Sequence, residues 1–171
     1  MKSVRLIAGV LFYITRVTSI LYLASALHVA ITTIFKTSAL DITEGGNIFY
    51  VLFPFTSKPF LVGEYNTFYM VEMVVLLGLY GLFFWLLGNV LKAFRLDRLF
   101  TAANVKRLTW FYLANLLVPL PFLVLHIYLH YEVGTLAIMT VLHFVLGVFT
   151  YFMTAIFRQG FHLQNEQDLY I

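Results

Sequence analysis

The sequence predicts an all-α integral membrane protein of four transmembrane helices in an antiparallel bundle, with a short hairpin-like loop on the extracytoplasmic side. Three observations lead there. Four apolar runs are each long enough to cross a bilayer, which takes roughly 20 residues in a helix. The chain is 61% apolar and 11% charged, with a mean hydropathy of +0.89, whereas soluble domains run about 45–50% apolar and about 25% charged. The basic residues gather in the short segments between the runs. So few charges cannot cover a surface in water, and lipid is the solvent that fits. At 171 residues the expectation is one membrane domain over residues 1–171.

The first span is expected at about 17–35, VTSILYLASALHVAITTIF. The preceding LIAGVLFYIT continues the helix at the interface, with Arg16 snorkelling to headgroups. A cleaved signal peptide ending at Ala24-Ser25-Ala26 is not expected, because Arg16 leaves only a short apolar stretch before it and apolar sequence continues after it. The loop 36–66 follows. In it NIFYVLF and PFLVGEY flank a Pro54–Pro59 turn, and aromatic and β-branched runs around such a turn read as a hairpin on the membrane surface.

The second span is expected at about 67–91, followed by a loop over 92–107 in which Thr101 is placed to cap a helix entering the third span. The third, at about 108–131, contains Pro119 and Pro121, which should bend it. A tight turn leads to the fourth, at about 134–157, and the tail is 158–171.

Charge sets the expected orientation. Lys2, Arg5 and Arg16 precede or open the first span, Lys92, Arg95, Arg98, Lys106 and Arg107 lie between the second and third, and Arg158 follows the fourth. The opposite side has only Lys36 and Lys58 beside Asp41, Glu44, Glu64 and Glu132. Positive residues mark the cytoplasmic side, so both termini and the 92–107 loop are expected in the cytoplasm, with the chain in the cytoplasmic (inner) membrane. A net charge of +3 distributed this way argues for contact with the lipid bilayer and against direct nucleic-acid binding. Cysteine is absent, which removes disulfides and thiolate chemistry. No nucleotide, quinone or nucleophile motif is present, so no catalytic residue is assigned and a non-enzymatic role is expected.

Ionisable residues inside spans are costly and point to function. His28, Glu72, His126 and His143 each lie roughly 7–13 Å from the outer end of their helix, and His130 sits at the outer end of the third. These five are the candidate ligands for a transition metal, and the histidines for haem, since imidazole and carboxylate suit such ions. A proton or ion relay, or a network that satisfies itself by hydrogen bonds, uses the same residues. Helical phase groups Asn115, Pro119, Phe122, His126 and His130 on one stripe and His143, Gly147, Thr150 and Thr154 on another. Gly78, Gly81 and Gly88 lie away from Glu72 on the second span, so one of these faces serves the bundle and the other a homodimer contact.

FTAANVKRL and AIFRQGFHLQNEQDLYI carry a further signal. Phe100, Thr101, Asn104, Val105, Lys106, Arg107 and Leu108, then Phe157, Gly160, Leu163, Glu166, Asp168, Leu169 and Ile171, resemble the pattern of a family of small bacterial membrane proteins, domain of unknown function twenty-nine seventy-five. The resemblance implies the same four-span layout. It also implies a tether or sensor working with a cytoplasmic DNA-binding regulator of the helix-turn-helix kind. The partner-binding residues would then be Arg95, Arg98, Asn104, Lys106, Arg107, Gly160, Glu166, Asp168 and Leu169. The tail can be read as a strand that pairs with that partner, or as a helix end capped by Gly160. A haem- or metal-binding redox protein and a small transporter or channel subunit are the alternatives.

Overall fold

Residues 2–43 and 45–168 are described by the computed structural model. The described chain is mostly helical, and four of its helical stretches are long and apolar enough to cross a membrane, the number expected: Lys2–Phe35, Thr67–Ala93, Ala102–Tyr128 and Gly134–Gln167. The elements in order are α1 (Lys2–Phe35), β1 (Leu40–Ile42), β2 (Ile48–Leu52), β3 (Pro59–Glu64), α2 (Thr67–Ala93), α3 (Ala102–Leu117), α4 (Pro119–Tyr128) and α5 (Gly134–Asp168). Polarity is inverted relative to a protein built for water. Large apolar side chains such as Leu21, Ile34, Val124 and Phe152 are exposed, while Ser19, Thr32, Asn104, Asn115, Thr150 and Thr154 are buried. Helices surrounded by lipid gain nothing by hiding leucine, and they associate through small and hydroxyl side chains. Two of the buried threonines satisfy themselves on their own helix, Thr150 donating to the Leu146 carbonyl and Thr154 to that of Thr150, each at 2.8 Å.

Contacts divide the chain into two compact units, Arg16–Phe84 and Met1–Thr15 with Trp85–Ile171. In the first, the fully buried Ser19 donates to the Gly81 carbonyl at 2.7 Å. A methyl group on Gly81 would fall 2.7 Å from Leu23, so glycine is what lets α1 and α2 close to this distance. Of the glycines expected to serve either the bundle or a dimer, Gly81 faces α1, while Gly78 meets nothing within 4 Å. The all-α expectation is corrected here. The loop is a three-stranded antiparallel sheet in the order β1-β2-β3, with Leu40 opposite Val51 and Phe49 opposite Gly63. Alternation on β2 buries Phe49 and Val51, which pack with Val29 of α1 and with Met70, Val74 and Leu77 of α2. That buried face gives the sheet a register, because a slip by one residue would turn both side chains outward.

In the second unit α3 lies along α5, and α4 follows α3 after the proline-induced break. Pro119 and Pro121 have no N–H to give to the carbonyls one turn back. Val118 keeps helical dihedrals (φ −70°, ψ −40°) and donates to Ala114 at 3.0 Å, so the ladder is interrupted without the chain leaving its path. At the far end His130 takes a left-handed φ of 58° and the Tyr131 N–H returns to the His126 carbonyl at 3.0 Å, closing the turn before α5.

Candidate functional site

The segment between α2 and α3 folds around one side chain. Thr101 is extended (φ −129°, ψ 152°) and caps α3, its Oγ1 accepting from the Asn104 N–H at 3.2 Å. Asn104, with no exposed surface, turns its amide back to the loop: Nδ2 donates to the Leu99 carbonyl at 2.8 Å and, at the limit of 3.5 Å, to that of Arg98. Its Oδ1 accepts from Arg107 Nη1. A single residue thus fixes the loop carbonyls and a guanidinium through its side chain and the cap through its backbone N–H. Phe100, held by this geometry, sets its ring edge-on to Phe157 (5.4 Å between centroids), and Phe157 meets Phe94 in the same way at 5.6 Å.

Gly160 completes the contact. A Cβ there would lie 2.6 Å from the Phe100 ring, so the ring occupies the space a side chain would need. The C-cap reading of Gly160 is thereby corrected, because α5 continues through it to Asp168; the tail is helical over 161–168, and the end of the segment read as a strand lies outside the described residues. Leu169, the last of the expected partner-binding residues, lies outside the described residues, and Asp168 closes α5.

The same unit holds a second set of contacts that the sequence alone did not suggest. Arg95 lays its guanidinium over Phe12 and Tyr13, 4.6 and 5.0 Å from the ring centroids, with Nε passing 3.8 Å from where a Cβ on Gly9 would stand. Arg5 forms an ion pair with Asp97. The sign that was available lies in spacing: Phe157 and Gly160, three apart, share a helix face and so mark a place where a knob from elsewhere fits. Nothing comparable announces Phe94 or the ring pair under Arg95. Among the expected partner-binding residues, Asn104 is buried and Arg95, Arg107 and Gly160 are partly covered, whereas Arg98, Lys106 and Glu166 are exposed.

The intramembrane candidates sort differently. In the Arg16–Phe84 unit, His28 donates from Nε2 to the Leu52 carbonyl at 2.9 Å and sets its ring edge toward Phe60, while Glu72 is half-buried on α2. The imidazole therefore ties the end of β2 to α1. In the other unit Asn115 gives Nδ2 to the Phe111 carbonyl at 2.8 Å, which leaves its Oδ1 to accept from His143 Nδ1 at 2.7 Å. His126 donates from Nδ1 to the Phe122 carbonyl at 3.1 Å beside the Tyr131 ring, and His130 is exposed at the turn. Each bond to an acceptor fixes a tautomer. Among the described residues no group of three or more His, Cys, Asp or Glu is close enough to hold a metal ion.

One expected result follows from His28. Replacing it with Ala removes a bond across the sheet–helix contact and leaves the Leu52 carbonyl without its donor, a loss of about 1–2 kcal/mol. Amide exchange in β2 should accelerate while that in α5 stays as it was. Equal protection in both proteins would mean the bond holds nothing in place.

No curated protein and no solved structure matches the chain. A family does: the pattern described as Protein of unknown function (DUF2975) matches residues 50–171, which include the end of β2, all of β3 and α2, the Asn104 loop and the whole of α3 to α5. That match covers well over half of the chain and takes in every residue of the Phe100–Gly160 latch, and the protein belongs to this family.

Proposed function

We propose that the protein is a non-enzymatic tether of the cytoplasmic (inner) membrane, with both termini in the cytoplasm, and that it presents the latched segment 92–107 and the polar end of α5 to a soluble partner. The observation that carries the reading is how the family pattern is used. Asn104, Phe100, Phe157 and Gly160 are occupied in folding the loop and locking it to α5. Arg98, Lys106, Arg158, His162, Leu163 and Glu166 are left on the outside of elements that the latch holds rigid. A preformed surface loses less ordering entropy on binding than a mobile loop would. The excess of basic residues on this side supports the cytoplasmic orientation.

A cytoplasmic DNA-binding regulator of the helix-turn-helix kind is the partner this reading names. The test is a pull-down with the full-length, detergent-solubilised protein as bait and that class of regulator as prey. Wild type should retain the regulator, and Arg98→Glu with Lys106→Glu should reduce retention at least about tenfold, given about 1.5–3 kcal/mol for hydrogen bonds to charged groups. Retention that is absent from wild type, or indifferent to the charge reversal, would remove the proposal.

A further inference from the structure

Val4, Ile7, Ala8 and Leu11 of α1 meet Leu91 and Phe94 at the end of α2 around an open cavity of ≈ 230 Å³. All six side chains are apolar, so the space offers water no hydrogen-bond partner from a side chain. Its surroundings in sequence are the opposite. Lys2 and Arg5 flank Val4, and Lys92 and Arg95 flank the Leu91 and Phe94 positions. We propose that this cavity seats an acyl chain of an anionic phospholipid, with the lipid phosphate held by Lys2, Arg5 and Lys92.

The two halves of the site need each other. An apolar cleft alone takes any hydrocarbon, and loose lysines alone take any anion. Here the cleft opens where the first turns of α1 meet the last turn of α2, and both of those turns carry cations. Arg95 is not counted among the phosphate ligands, because its guanidinium already lies over Phe12 and Tyr13. Arg5 is counted although it pairs with Asp97. A guanidinium carries five N–H donors, and the Asp97 side chain is 89% exposed, so it leaves part of the fork to a phosphate. Asp97 opposes the phosphate by its charge, yet three cations against one carboxylate leave the mouth positive. The exposed Val4 and Ile7 provide the sliding surface by which a chain enters from the bilayer.

The inference does not depend on a soluble partner, and its test uses none. Full-length protein, delipidated in detergent, is titrated with phosphatidylglycerol or with phosphatidylcholine of the same chains, and bound lipid is counted by native mass spectrometry. Phosphatidylglycerol should bind more tightly than phosphatidylcholine. Lys2→Gln and Lys92→Gln should each weaken it about fivefold, the equivalent of about 1 kcal/mol per basic residue at a lipid surface. Val4→Trp, which fills the cleft from an exposed position, should displace both lipids, with Ile7→Trp as a second variant should the first fold poorly. Inorganic phosphate should not compete. Equal binding of the two lipids, binding unchanged in a correctly folded Trp variant, or displacement by phosphate alone would each overturn the assignment.

Discussion

Asn104→Ala should be the most damaging single truncation on the loop, lowering the unfolding free energy by about 3 kcal/mol. The amide is fully buried and makes its bonds in three directions, to the Leu99 carbonyl, to the Arg98 carbonyl and to the Arg107 guanidinium. Truncation takes the partner away from each of those part-buried groups, and an unsatisfied buried group costs about 1–3 kcal/mol, more when it is charged. Asn104→Asp separates hydrogen bonding from size. It keeps the shape and improves the match to Arg107, yet it points an oxygen at two carbonyl oxygens where the amide pointed N–H. The loss should therefore equal or exceed that of the alanine variant. Thermal or denaturant unfolding of detergent-solubilised protein reads both, and a loss below about 0.5 kcal/mol, the range of an ordinary surface change, would show that the loop is held by its aromatic contacts alone.

What could be read in advance follows the range of the forces involved. The four long helices were legible because apolar runs of that length have one solution in lipid, and the Thr101 cap because its partner is three residues away. β2 and β3 were legible as aromatic and β-branched runs around a proline-bounded turn. β1 was not: Leu-Asp-Ile is too short to show a period, and it becomes a strand only because Val51 and Phe49 stand opposite Leu40 and Ile42. Gly160 illustrates the same limit from the other side. Glycine near the end of an apolar run is the local sign of a helix cap, but here the missing side chain makes room for Phe100, sixty residues earlier, and the helix runs on through polar sequence.

The histidines show why a shared depth is weak information. Depth along a helix is fixed by counting residues, but whether two side chains meet depends on helix rotation and on what else competes for them. His28 takes the carbonyl of Leu52, a group contributed by a sheet that folds back onto α1, and His126 takes a carbonyl of its own helix. His143 finds a side chain from another span, the Asn115 amide. Backbone carbonyls are invisible to any search for patterned side chains, yet they are the commonest acceptors on the chain.

Gly160→Ala should change sign with its background. In the wild-type protein the new Cβ lands 2.6 Å from the base of the Phe100 ring, at the atom that has least room to swing aside. Crowding of this kind costs about 1–3 kcal/mol, partly offset by the gain of about 1 kcal/mol when alanine replaces glycine inside a helix, so the net should be a loss of up to about 2 kcal/mol. With Phe100→Ala already in place the ring is gone, the crowding vanishes and only the propensity remains. The same substitution should then stabilise the protein by about 1 kcal/mol. The difference between the two effects, about 1–3 kcal/mol, is the coupling between residues in direct contact, and it can be measured by unfolding the four proteins of the cycle. Were Gly160→Ala to act alike in both backgrounds, the ring would not be what the glycine accommodates, and the latch between the Asn104 loop and α5 would have to be sought in the Phe94–Phe157 pair instead.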